Sequence, residues 1–246
     1  MLNSVPQDLL VGSWVAAAIT GAVAHVTCNP RSRILGPVIS HGSRLQPRVA
    51  LTFDDGPLPG STDRILDILA ELRVKAAFFV IGANVDRYSD LARRIHEEGH
   101  LVENHSYDHL GLGFLKGFQF WSEQLDRTDA AVERAIGLTP LLFRPPLGIR
   151  TWPILRAAKR YTIVTWSRRG YDGVATTSQR ILARLVPHAR PGEIMTLHDG
   201  VSRQTRRDPT ATVEAVRPLI LSLRKRGLDF ARLDELTGLN PYLVVP

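Results

Sequence analysis

From residue 48 onward the chain repeats one pattern. A short run of β-branched and aromatic residues is followed by a segment with helical apolar spacing. Arg48–Asp54 (RVALTFD) is β-rich and ends in acid. The next segment, 63–72, puts apolar residues at 65, 66, 68, 69 and 72, which is helical spacing. Residues 76–81 (AAFFVI) read as a buried strand, 85–98 as a helix stopped by Gly99, and 101–104 as a short strand. A long helix over 119–136 ends at Gly137. Strands at 141–143, 161–166, 193–197 and 228–233 then alternate with helices over 153–160, 178–188 and 210–226. This is a βαβ rhythm and predicts a parallel sheet. Seven or eight such units within roughly 200–250 residues suggest an α/β barrel, with an open doubly wound sheet as the alternative. No G-x-G-x-x-G follows the first strand and no Walker motif occurs, so nucleotide binding by those routes is unsupported.

Composition narrows the chemistry. The 246 residues are 44% hydrophobic, which fits a folded chain. Lys and Arg number 31 against 24 Asp and Glu, a net +7, but the charge is spread out and forms no nucleic-acid-binding block. Cys28 is the only cysteine, which excludes an intramolecular disulfide and a cysteine-based zinc finger. Any metal must therefore sit on histidines and carboxylates. Residues 9–26 carry no charge, a length at which a membrane span begins to be feasible. Ser13, Thr20, His25 and many Ala and Gly dilute the run, and Asp8 stands where a signal peptide carries basic residues. Arg31, Arg33, Arg44 and Arg48 follow it, so a span would leave the domain in the cytoplasm. The expectation is an N-terminal apolar helix and linker over 1–47, serving as membrane anchor or as packed or surface helix. A catalytic domain follows over 48–246. Membrane-associated with a cytoplasmic-facing domain, or cytoplasmic, is favoured over secreted.

Polar residues cluster where predicted strands end. Asp54 and Asp55 close the first strand before Gly56-Pro57, and Glu103, Asn104 and His105 follow the third, with His109 four residues on. Arg144-Pro145-Pro146 follows the fourth, Asp172 lies beyond the fifth, and His198-Asp199-Gly200 ends the sixth. In a parallel barrel these ends open on one face, so distant residues can share one pocket. His105 and His109 at i, i+4 are expected on one side of a helical turn. Two His, one carboxylate and water form a recurring catalytic zinc arrangement, which activates the water and polarises a carbonyl. With two adjacent carboxylates, one can ligate while the other takes a proton, provided cations such as the metal and Arg144 separate them. His198 would protonate a leaving group.

Thr52-Phe53-Asp54-Asp55-Gly56-Pro57, His105-Ser106-Tyr107-Asp108-His109, Arg144-Pro145-Pro146-Leu147-Gly148 and Leu197-His198-Asp199 together resemble the motif series of the polysaccharide deacetylases, carbohydrate esterase family four. The resemblance spans about 48–235 and implies a distorted (β/α)7-8 barrel of that type. It implies Asp55, His105 and His109 as ligands of one divalent metal, most often zinc, with cobalt or nickel also compatible. By the same resemblance Asp54 is the general base, Arg144 its partner, His198 the general acid and Asp172 the residue that tunes it. Leu147, Leu197, Trp166 and Pro145 are the expected substrate contacts, the Leu147 N–H helping to hold the oxyanion. The implied reaction removes an N-acetyl group from an amino-sugar glycan: chitin oligosaccharide, peptidoglycan or a lipid-linked glycan. An O-acetyl ester, another amide, or glycan binding without catalysis are the alternatives. This chain departs from the family at Leu147, where Tyr is frequent, at Asp172-Gly173, where Asp-Trp is frequent, and at Glu103, which replaces a frequent glycine. Arg168 and Arg169 stand where less basic residues are common. Residues 110–121 (LGLGFLKGFQFW) are apolar, read either as core folded under the rim or as an exposed patch suited to a membrane-near substrate.

Overall fold

The computed structural model describes residue 14, residues 21–202 and residues 208–243. Eight strands form one parallel sheet: β1 (Arg48–Asp54), β2 (Ala77–Val80), β3 (Leu101–Asn104), β4 (Leu142–Phe143), β5 (Thr162–Ile163), β6 (Arg168–Arg169), β7 (Ile194–His198) and β8 (Asp229–Phe230). Their order is β5-β4-β3-β2-β1-β7-β6, with β8 added to the start of β1. The sheet curls into the expected distorted barrel. It is open between β5 and β6, where residue Ile39 bridges to Val164. Helices α1 (Thr62–Glu71), α2 (Gly82–Arg87), α3 (Ser89–Glu97), α4 (Phe118–Ile136), α5 (Trp152–Ala157), α6 (Ser178–Leu185), α7 (Thr210–Lys225) and α8 (Leu233–Thr237) complete the chain.

The two-residue period of a strand sorts the side chains. Val49, Leu51 and Phe53 of β1 join Phe78, Val80, Met195 and Leu197 in the core beneath the helices. Ala50, Ala77, Phe79 and Ile194 face the barrel interior with Leu101, Leu142 and Val164. Ala50, Thr52 and Asp54 therefore share the inner face of β1, apolar at its base and polar at its C-terminal end. In β7 the same rule turns Ile194, Thr196 and His198 inward.

One local expectation is corrected, and one element is new. The helix read over 85–98 is two helices, broken at Tyr88 with φ of −133°. The β6 pairing had no counterpart in the sequence reading. Residues 9–26 lie largely outside the described residues; 21–28 are helical, and no helix among the described residues is long and apolar enough to cross a membrane. The chain just after this helix is tied to the barrel rim. Buried Arg150 donates to the carbonyls of Asn29 and Ser32, both at 2.6 Å, and its N–H to that of Thr27. Thr165 Oγ1 donates to the carbonyl of Pro30 at 2.6 Å. In the 110–121 stretch Trp121 is buried and its Nε1–H donates to the Gly113 carbonyl, while Leu112 and Leu115 stand exposed. The stretch is therefore part core and part exposed.

Candidate metal and catalytic site

β1 ends in the pair that begins the site. Alternation would send Asp55 to the outer face, but its φ of 74° breaks the strand and turns the carboxylate toward the sheet's C-terminal end. The two glycines of the neighbouring turns are required by close approach. A Cβ on Gly56 would lie 2.0 Å from Asp199 Oδ2, and one on Gly200 would lie 2.1 Å from the Asp55 carbonyl oxygen.

His105 and His109 do not lie on a helical turn, which corrects the expectation from their spacing. They stand on a loop with Ser106 at φ 68° and His109 at φ 46°. Side chains replace helical hydrogen bonds there. Asn104 Oδ1 accepts from the Ser106 N–H at 2.9 Å, and Gln124 Oε1 accepts from Tyr107 and Asp108 at 3.0 and 2.8 Å. The α2 start contributes as well, with Gly82 and Ala83 N–H donating to the carbonyls of Ser106 and Tyr107. The loop folds the imidazoles together, ring centroids 5.0 Å apart. Their Nε2 atoms lie 3.6 and 3.4 Å from Asp55 Oδ1.

These three buried residues offer ligand atoms all within 4.8 Å of one another. The donor chemistry fits a divalent ion. The His105 Nδ1–H donates to the Arg144 carbonyl at 2.6 Å, which leaves the lone pair on Nε2. Burial and then the neighbouring His109 hold the His105 imidazole down at about 3, so it is neutral, the form that ligates. One carboxylate and two imidazoles leave coordination positions for water and substrate.

Asp54 and Arg144 form the second element. Arg144 is fully buried, and its Nη1 donates to Asp54 Oδ1 at 2.5 Å and to Thr52 Oγ1 at 2.8 Å. Its Nη2 donates to the Thr165 carbonyl at 3.1 Å, and its guanidinium carbon lies 3.9 Å from the centroid of the Phe79 ring. Burial lowers the guanidinium from its ordinary value, and Asp54 opposes that shift. The third element is a His–Asp pair. The His198 Nδ1–H donates to Asp172 Oδ1 at 2.8 Å, and its backbone N–H to Oδ2 at 2.9 Å. Thr212 Oγ1 donates to the same Oδ2 at 2.7 Å, so the carboxylate is fixed from two sides.

Asp54, Asp55, His105, His109 and His198 line one cavity of 220 Å³. Leu147 and Trp166 form part of its wall, with Leu147 in the left-handed region at φ 58°. Leu197 is fully buried on the helix side, as alternation with His198 dictates, and Pro145 is buried; neither lines the cavity. Arg144 and Asp172 stand behind it, touching residues that do. The sequence gives no site role to five wall residues: Thr196, Arg169, Tyr171, Gly173 and Val174. Strand alternation around His198 could have found Thr196; the others lie at or beyond the edge of a two-residue strand with no periodic signal. Next to the site, Asp199 is buried and pushed up to about 7 by that burial, with its Oδ2 accepting from Thr62 Oγ1 at 2.5 Å.

The sequence pattern of the polysaccharide deacetylase family matches residues 41–166. A peptidoglycan-N-acetylglucosamine deacetylase of Bacillus cereus is 33% identical over 192 residues, covering 76% of this chain and 87% of that protein. A chitooligosaccharide deacetylase of a Bradyrhizobium species is 35% identical over 196 residues, covering 76% and 90%. Among solved structures, a peptidoglycan N-acetylglucosamine deacetylase in complex with 4-naphthalen-1-yl-N-oxidanyl-benzamide superposes with a TM-score of 0.75 at 28% identity, covering 83% of this chain and 94% of that one.

Proposed function

We propose, from the premise that this chain belongs to the polysaccharide deacetylase family, that it hydrolyses N-acetyl groups of an amino-sugar glycan with one divalent metal ion, zinc. One observation carries the reading: a two-His, one-carboxylate donor set, an Asp–Arg pair and a His–Asp pair converge on a single cavity. An ion held by Asp55, His105 and His109 would lower the pKa of a water and polarise the acetamide oxygen.

The chain's own residues do the rest. Asp54, oriented by Arg144, accepts the proton of the attacking water at its carboxylate. Arg144 pairs with that carboxylate from behind the cavity, so its positive charge offsets the close approach of Asp54 and Asp55. The backbone N–H of Leu147 is the donor for the developing oxyanion. Because Nδ1 of His198 is engaged by Asp172, a proton carried on Nε2 is the one available to the departing amine. Trp166 and Leu147 form apolar wall against which an acetyl methyl can rest. The products are acetate and the free amino sugar.

Acetate release tests this on metal-stripped and zinc-reloaded protein, with N-acetylglucosamine oligomers, peptidoglycan fragments and O-acetyl xylan as substrates. Zinc-restored release from an N-acetylated substrate, lost in His198→Ala, is the expected result. Release from O-acetyl xylan alone would overturn amide hydrolysis, and release equal with and without metal would overturn the metal's role.

A further inference from the structure

A second cleft of 590 Å³ opens beside the catalytic cavity, and Trp166, Arg169 and Tyr171 line both. Its other walls carry Arg31, Arg184 and His188, and among the described residues no carboxylate lines it. Arg168 at its edge is neutralised by Glu193, with Nε donating to Oε2 at 2.7 Å. Arg31, Arg169 and Arg184 make no ion pair among the described residues. Arg31 Nη2 donates to the Ser167 carbonyl at 2.6 Å and Arg184 Nη1 to that of Gly170 at 2.8 Å.

Arg169 differs from both. Its guanidinium carbon lies 4.1 Å from the centroid of the Tyr171 ring and 5.7 Å from that of Trp166. Aromatic faces hold it, and no acceptor among the described residues takes its N–H donors. Arg184 approaches the same Tyr171 ring from elsewhere, at 5.4 Å. Three like charges gathered around one concave space repel one another until an anion enters. The pairing that quiets arginines elsewhere, such as Arg94 between Asp67 and Glu98, is missing here.

We propose that this cleft binds an oxyanion carried by the substrate, a carboxylate or a phosphate on the glycan beside the N-acetyl group that is removed. The planar guanidinium fork suits either group, with paired N–H donors matched to paired oxygens. The shared wall makes the cleft part of the substrate path. An anionic membrane is the less suitable occupant because the arginines line a concavity continuous with the catalytic one. The inference rests on the deacetylase reading and sharpens it: the substrate is an acidic glycan.

Binding and turnover are measured separately. Titration into zinc-loaded His198→Ala protein compares a neutral N-acetylglucosamine tetramer, an oligomer containing N-acetylmuramic acid, and an N-acetylglucosamine oligomer bearing a 1-phosphate. At least one anionic oligomer is expected to bind about tenfold more tightly than the neutral one, with the preference shrinking as salt rises. Whichever anion gains identifies its source as carboxylate or phosphate. Adding Arg31→Gln and Arg169→Gln should abolish the preference, whereas Arg64→Gln, which removes one surface charge elsewhere, should retain it. Equal affinities, or a preference that survives the double substitution, would overturn the proposal. So would loss of adhesion to phosphatidylglycerol vesicles with glycan preference intact, which would assign the arginines to a membrane. Anion preference without acetate release from the wild-type chain would overturn the deacetylase reading alone.

Discussion

Removing Arg144 while keeping Asp54 tests the buried pair on which the base depends. Both side chains are shut away from water, Arg144 entirely, and they meet at 2.5 Å. At an effective dielectric constant near 20, two unit charges about 4 Å apart attract by about 4 kcal/mol. Arg144→Met removes that attraction and strands a desolvated carboxylate, a change that typically costs about 3–5 kcal/mol. Asp54→Asn strands the guanidinium less severely. The carbonyls of Thr165 and Val164, Thr52 Oγ1 and the Phe79 face still engage Arg144, so about 1–3 kcal/mol is expected. The double variant carries neither charge. It should be more stable than the sum of the single losses predicts, by about 2 kcal/mol or more. Urea unfolding of metal-stripped protein, at constant pH and in chelator, reads all four corners of the cycle without the ion's contribution. Losses that add to within about 0.5 kcal/mol would refute the coupling. They would mean that solvent, not Arg144, compensates Asp54.

Asp172→Asn should lower turnover by about a hundredfold or more while leaving zinc content unchanged, because His198 loses the acceptor that fixes its tautomer; retained turnover would remove Asp172 from the mechanism. Zinc at about one hundred times its dissociation constant should raise the unfolding free energy by about 2.7 kcal/mol, and His105→Ala should abolish the increment. His100 is buried, accepts from the Ala76 N–H, and is lowered to about 3 chiefly by burial and also by nearby Lys75, Arg232 and Arg94. Its unfolded form takes a proton first, so the stability it contributes is present above pH 6.5 and is lost as pH falls toward 3. By pH 5 the loss is about 2 kcal/mol, and His100→Gln, compared with wild type by denaturant melts at pH 7 and pH 5, should flatten that part of the slope.

The strands and helices that the sequence revealed are those whose apolar period runs for several residues, from β1 through α7. Elements that packing determines stayed hidden. The break at Tyr88 and the two-residue strand Arg168–Arg169 have no period long enough to read. The donor set Asp55, His105 and His109 was legible in the motifs, but its means of assembly was not. An i, i+4 spacing suggested a helical turn, whereas Asn104 and Gln124 impose a loop through hydrogen bonds that no local pattern announces. Leu197 shows the converse. The family resemblance implied that it lines the substrate pocket beside His198, and strand alternation separates the two. Glu103, grouped in sequence with the polar residues at strand ends, is a buried strand residue whose Oε2 accepts from the Leu142 N–H. Burial raises its carboxyl well above the usual range.

Backbone conformation shows how the scaffold commits to this site. Six non-glycine residues among those described have positive φ: Asp55, Arg73, Ser106, His109, Leu147 and Tyr171. All but Arg73 belong to the metal loop, the end of β1 or the cavity wall. Each such conformation costs roughly 1–3 kcal/mol, so their concentration at one place requires compensation nearby. The compensation is visible in protein–protein hydrogen bonds. The Asp55 N–H donates to the Phe79 carbonyl, the Ser106 N–H to Asn104, and the Ser106 carbonyl accepts from Gly82. None of these bonds passes through a metal ligand atom. The shape of the donor set is therefore imposed by the parallel sheet and its loops, and an ion entering the site meets ligands already positioned by the fold.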